Sequence, residues 1–118
     1  MGERMGSLRR TNMCGQLGMQ DVGKEIVLMG WVQRERNLGG LLFIDLRDTT
    51  GISQIVFDDT VPKEVMAKAE TVRSEYVVAV KGIVRERQSK NLNIPTGEVE
   101  VLASEIKILD EAETPPIY

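Results

Sequence analysis

Arg-Glu-Arg occurs twice in this chain, at residues 34–36 and 85–87. Extended backbone sends successive side chains to opposite faces, so Arg34 goes with Arg36 and Arg85 with Arg87, while Glu35 and Glu86 point away. If the two strand ends converge, four guanidiniums can grip phosphates or base edges in forked geometry. The same residues also suit a solvated surface laced with Arg/Glu pairs. Phe43 lies in Leu-Leu-Phe-Ile-Asp-Leu-Arg, residues 41–47, where Leu42, Ile44 and Leu46 share one face and Leu41, Phe43, Asp45 and Arg47 the other. A ring on a wet sheet face is a platform for an unpaired base, worth about 1–3 kcal/mol per base; a ring half-buried under a loop is the plainer alternative. Gln54 carries an amide that can both donate to and accept from a base edge, although a surface glutamine needs no such role.

Weaker candidates surround these. Asn91 and Asn93 sit with Lys90 in a polar stretch where short amides commonly satisfy turn backbone. Glu98 can accept from a base amino group. Asp45, Asp48, Asp58 and Asp59 lack the spacing of a calcium loop, so no metal is expected, and Arg47 with Asp48 is expected to pin a turn. The chain has no histidine, and its single cysteine, Cys14, has no visible base to activate it. Cys14 is therefore read as a small buried filler, and no catalytic residue is expected. Phosphate-loop, dinucleotide and nucleophile-elbow motifs are absent from the sequence.

These side chains need a scaffold, and 118 residues supply one domain. A hydrophobic share of 42% with 28% charged is ordinary for a soluble globular chain, and no apolar run has a membrane span's length. A cytoplasmic setting fits the lone thiol. The net charge of −3 is unevenly spread: residues 1–30 and 31–97 each sum to +1, and residues 98–118 to −5. With so mild a basic balance in the middle, affinity for nucleic acid must come from a few placed contacts rather than bulk phosphate neutralisation.

Alternation and turn residues mark five strands, at residues 26–36, 41–48, 52–57, 76–87 and 98–109, with a helix over 62–73. Pro62 suits the helix's first turn, and Val65, Ala69 and Val72 form its apolar stripe. Gly30 and Gly82 mark bends or bulges, and Trp31 is read as a packing residue. Three meandering strands, a helix and two more strands is the order of an all-β, five-stranded OB-fold (oligonucleotide/oligosaccharide-binding) barrel of Greek-key type, with its helix between strands 3 and 4. Residues 1–9 are expected to be poorly ordered, 10–109 to form the barrel and 110–118 to begin a linker.

The assembled pieces resemble the N-terminal anticodon-binding domain of bacterial-type aspartyl-tRNA synthetases. They are Arg10-Thr11, Cys14-Gly15-Gln16-Leu17, Gly30-Trp31-Val32, the run from Gly39-Gly40 through Leu46-Arg47-Asp48, Gly51-Ile52 with Gln54, Arg73-Ser74-Glu75-Tyr76-Val77, Pro95-Thr96-Gly97-Glu98 through Leu102-Ala103-Ser104, and Thr114-Pro115-Pro116. Each is short; their joint order is specific, and it separates the chain from lysyl enzymes more firmly than from asparaginyl ones.

The resemblance implies a barrel that holds the tRNA anticodon loop, tRNA for aspartate being the expected partner. A separate domain of the longer protein, a homodimer, would join aspartate to tRNA with ATP and magnesium; the fragment itself would need no cofactor and stay monomeric. It implies stacking of the central anticodon base on Phe43, base reading by Gln54, and contacts from Arg34, Arg36, Arg85, Arg87, Asn91, Asn93 and Glu98. Where relatives often carry three consecutive arginines this chain has Glu35 in the middle. Leu38 replaces a histidine that many relatives place beside the anticodon, which leaves open how the tRNAs for aspartate and asparagine are told apart. Two rival readings stay open: a general single-strand binder and a protein-interaction barrel.

Overall fold

The computed structural model describes residues 8–111. Its strands are β1 (Glu25–Asn37), β2 (Leu42–Asp48), β3 (Gly51–Phe57), β4 (Val77–Glu86) and β5 (Val99–Asp110), and its one α-helix, α1 (Lys63–Ala69), lies between β3 and β4. Each strand falls within one residue of the expected bounds. The strands close a barrel in the order β1-β2-β3-β5-β4, with β4 returning to β1. All pairings are antiparallel except β3 with β5, a short parallel seam holding Ile55 to Val101 and Val56 to Leu102. This is the five-stranded Greek-key OB barrel.

Inward-facing residues of every strand fill the barrel. Leu28, Val32, Ile44, Leu46, Ile55, Phe57, Val80 and Ile106 are each no more than 1% exposed. At roughly 1.5–3 kcal/mol for a fully buried large aliphatic or aromatic side chain, this interior is the main source of stability. Helix α1 adds Ala69, with Val72 just beyond its end and Val65 partly buried against the core, so the expected stripe is present. The helix itself is shorter than the expected 62–73. Pro62 sits at its N-cap in extended conformation (φ −56°, ψ 147°) rather than in the first turn. At the other end the Thr71 hydroxyl donates to Lys68 O (2.7 Å) and the Arg73 guanidinium to Glu70 O (3.1 Å). Those side chains satisfy the last carbonyls and end the helix.

Two short 3-10 helices, Cys14–Gln16 and Met19–Asp21, precede the barrel and were not expected, since one turn leaves no periodic signal. The first is tied to the β2–β3 turn. Cys14 N–H donates to Asp48 Oδ2 (2.7 Å), Gly15 N–H to Thr50 Oγ1 (2.8 Å), and the Ser53 hydroxyl to Cys14 O. Cys14 is fully buried, as expected of a filler, and burial with the neighbouring Asp48 carboxylate pushes its thiol pKa far up. Asp48 pins the turn, accepting from Thr50 N–H (2.8 Å) and Thr50 Oγ1 (2.6 Å). Burial opposes its ionisation, but these bonds outweigh that and hold its carboxyl below the usual range. Arg47 takes no part in holding the turn, because its Nε donates to Gln33 Oε1 across the sheet.

Strand β1 serves two neighbours, pairing with β4 from Glu25 to Trp31 and with β2 from Trp31 to Asn37. A Cβ at Gly30 would lie 2.2 Å from Arg47 O, so only glycine lets β2 come this close. The break in β1–β2 register lies further on, between Val32 and Arg34. Gly82 does sit at a register shift, opposite β5. Leu8, inside the stretch expected to be poorly ordered, is buried against Val27 and Ala79. Residues 1–7 and 112–118, with Thr114-Pro115-Pro116 and most of the expected linker, lie outside the described residues.

Candidate nucleic-acid interface

The bulge at Gln33 decides which way the first arginine pair points. Val32 is fully buried in the barrel, and strict alternation from it would turn Arg34 and Arg36 inward as well. One extra residue reverses the parity. Arg34 then pairs with Asp45 and Arg36 with Phe43, both on the outer face of β2, while Glu35 pairs with inward-facing Ile44. Directly opposed residues project to the same side, so two rows cross the outside of the barrel. One runs Arg36, Phe43, Val56, Leu102; the other runs Arg34, Asp45, Gln54, and continues to Glu100 and Arg85.

Side chains link the rows. The Arg36 guanidinium lies 5.1 Å from the centroid of the half-buried Phe43 ring, and its Nη2 donates to Gln54 Oε1 (3.4 Å). Gln54 Nε2 donates to Glu100 Oε1 (2.8 Å), and Arg85 Nε to Glu100 Oε2 (2.7 Å). Gln54 is only 7% exposed, with its amide engaged at both ends. A cleft of about 490 Å³ opens over Arg36, Leu38, Phe43, Gln54, Arg85, Arg87 and Glu100. A second, of about 290 Å³, adjoins it over Arg34, Asp45, Ile52 and Asn91, and the two share Arg36, Gln54 and Arg87. All four arginines therefore line one continuous depression.

Two loops frame it. Gly39 (φ 58°) and Gly40 (φ 95°) form the centre of a two-residue hairpin closed by Leu38 N–H to Leu41 O (2.8 Å). Positive φ at both central positions is the hairpin geometry that glycine adopts without strain. The turn leaves Leu38 55% exposed at the cleft rim. Across the cleft, the connection between β4 and β5 is anchored by the buried Thr96, whose hydroxyl donates to Ile52 O. Asn91 Oδ1 accepts from Asn93 N–H (3.0 Å), a local turn bond, and Lys90 pairs with Glu86 at 2.6 Å.

Arg34, Arg36, Phe43, Gln54, Arg85, Arg87, Asn91 and Leu38 are thus brought together, whereas Asn93 and Glu98 line neither cleft. The carboxylates that do line a cleft are Asp45, Glu86, which was expected to point away, and Glu100, which sequence reasoning passed over. The signal for Glu100 was there: alternation in Glu-Val-Glu-Val places Glu100 on the outer face, with Arg85 opposite it in the β4–β5 pair. Among the described residues no group of three or more acidic, cysteine or histidine side chains is arranged to hold a metal ion, and no helix is long and apolar enough to cross a membrane.

A closed five-stranded barrel with an aromatic, a nearly buried amide and four arginines in one outer depression has the architecture of a nucleic-acid-binding OB domain. Residues 26–109 match the family model for the tRNA anticodon type of OB-fold nucleic acid binding domain, and the chain belongs to that family. Over 118 residues it is 59% identical to the aspartate–tRNA(Asp/Asn) ligase of Caldanaerobacter subterraneus subsp. tengcongensis, covering 98% of this chain and 20% of that protein. It is 57% identical to the aspartate–tRNA ligase of Clostridium tetani, covering 100% and 20%. Among solved structures, asparaginyl-tRNA synthetase from Pyrococcus horikoshii is similar with a TM-score of 0.73 at 31% identity, over 88% of this chain and 24% of that one. The chain spans about a fifth of the length of the curated relatives it matches.

Proposed function

We propose that this chain is the anticodon-recognition module of an aspartate–tRNA ligase. The observation that carries the reading is the linked set Arg36, Phe43, Gln54, Glu100 and Arg85, gathered on one outer face of a barrel of the anticodon family. In this reading the central anticodon base stacks on Phe43. Gln54 offers an amide donor and acceptor, and Glu100 a carboxylate acceptor, to base edges, exchanging their present partners for the base. Arg34, Arg36, Arg85 and Arg87 hold the loop's phosphates, which fixes register without reading sequence. Asn91 lies where it can reach a neighbouring base. Glu100 takes the carboxylate role that the sequence alone suggested for Glu98.

Joining aspartate to tRNA, with ATP and magnesium, is assigned to a separate domain of a longer cytoplasmic protein that dimerises elsewhere. Identity to aspartate ligases favours tRNA for aspartate over an asparaginyl role. Leu38, exposed at the cleft rim, is the position from which acceptance of the asparagine tRNA would be set.

The direct test is titration of this chain with an anticodon stem-loop for aspartate and with one altered at the central base. Tighter binding of the first by tenfold or more supports the reading. Equal affinities with steep salt dependence would instead mark a general single-strand binder.

A further inference from the structure

Four residues along β2 from Phe43, about 13 Å on extended backbone, the outer face carries a second aromatic beside a second arginine. Trp31 of β1 pairs with Arg47 of β2, and Arg47 pairs with Ile52 of β3. Opposed residues share a side, so this row runs parallel to the two that form the clefts. The expectation that Arg47 pins the turn fails, since Asp48 and Thr50 complete it without help. Arg47 instead gives its Nε to Oε1 of Gln33, the bulge residue, which is exposed. Its two terminal nitrogens have no protein partner among the described residues. A guanidinium clamped at Nε by a neutral amide is held in one plane with its other donors unspent, which is the arrangement that favours a phosphate oxygen pair.

Arg34 stands in the row between, so Arg36, Arg34 and Arg47 form a line of cations down the β1–β2 pair. We propose that Gln33, Arg47 and Trp31 form a second station for the same RNA strand. Arg47, oriented by Gln33, binds a phosphodiester beyond the bases read in the clefts, and the indole of Trp31 packs against the adjoining nucleoside. The proposal rests on the reading that an anticodon loop occupies this face. It extends the bound strand by a backbone contact and adds affinity without base preference.

The test uses this chain and the aspartate anticodon stem-loop, titrated at several salt concentrations. Arg47→Ala is expected to weaken binding about tenfold. It is also expected to reduce the slope of log K against log salt by about 0.7–0.9, one phosphate's share, while the affinity ratio between stem-loops differing at the central base stays unchanged. Gln33→Ala keeps the charge and removes only the orienting acceptor; about a threefold loss at unchanged slope is expected. Trp31 is the sole tryptophan, so its emission reports on the station directly and should change when wild-type chain binds RNA. If Arg47→Ala lowers thermal stability, the Gln33→Ala titration and the Trp31 signal decide. Unchanged affinity in both variants and a silent Trp31, with a wild type that still discriminates the central base, overturns the station alone. A wild type that does not discriminate overturns the anticodon reading beneath it.

Discussion

Arg36 and Phe43 are cross-strand partners on β1 and β2, and the guanidinium covers one face of the ring at 5.1 Å. In the free protein the cation occupies a place suited to a stacked base. An exposed cation–π contact contributes about 0.5–1 kcal/mol, less than the roughly 1–3 kcal/mol of base stacking, so in the proposed complex exchange would favour the base and release Arg36 toward a phosphate.

Phe43→Ala should therefore cost about 1–3 kcal/mol of RNA binding and little thermal stability, because the ring lies on the outer face and is only half-buried. Calorimetric titration beside a thermal melt separates the two quantities. A large fall in the melting midpoint would mark Phe43 as a structural residue.

Glu100→Ala leaves the Gln54 amide donor without its acceptor and Arg85 without its ion pair. Removing a partner from a nearly buried donor costs about 1–3 kcal/mol, measurable by urea unfolding. Discrimination at the base facing Gln54 should fall with it, while Glu98→Ala should change neither. Equal effects from the two variants would defeat the assignment of Glu100.

Deleting Gln33 removes the extra residue, so Val32 stays inward while Arg34 still faces Asp45 and Arg36 still faces Phe43, outward on an unbulged strand. Stem-loop binding is expected to be retained to within about threefold, the share of the lost Gln33 acceptor, and amide spectra should keep the β1–β2 register from Arg34 onward. A loss of more than about tenfold would show that the arginines depend on the bulge for more than their parity.

Asp48 has a carboxyl pKa below the ordinary aspartate value of about 4. A depressed folded-state pKa adds stability that is present above the unfolded value and lost as pH falls through the folded one. Stability should thus decline below about pH 4. Asp48→Asn should be less stable at pH 7, by about 1–3 kcal/mol for the lost charge-assisted bonds, and should flatten the acid limb. Denaturant midpoints across pH 2.5–7 provide the check.

Most of the barrel was legible because the strands alternate cleanly: Leu42, Ile44 and Leu46 inward, Phe43 and Asp45 outward. Phe43, Gln54 and the second arginine pair could be placed from that rule. Helix α1 was read too long because Val72 continues the apolar stripe past the last helical turn, and a side-chain pattern does not register where carbonyls are capped. The 3-10 turn at residues 14–16 was missed since its bonds reach Asp48, Thr50 and Ser53, far away in sequence, and the one at 19–21 because a single locally bonded turn leaves no periodic signal. The Gln33 bulge left no mark either: the residues on both sides of it are ordinary strand formers, and only pairing with β2 exposes the extra one. Glu100 was passed over because Glu98 and Glu100 share one strand face, and alternation alone does not say which of the two stands beside Gln54.

The β3–β5 seam gives the barrel a natural parting line, since its backbone ladder is the shortest of the barrel, two parallel residue pairs among the described residues. Gln54 stands on one lip and Glu100 on the other, bonded across the gap. A guest lying over both acts as a suture. Occupancy should slow amide exchange most on the inner segments of β3 and β5, far more than along the long β1–β4 border, and so make this wall the place where recognition and mechanical closure become the same event.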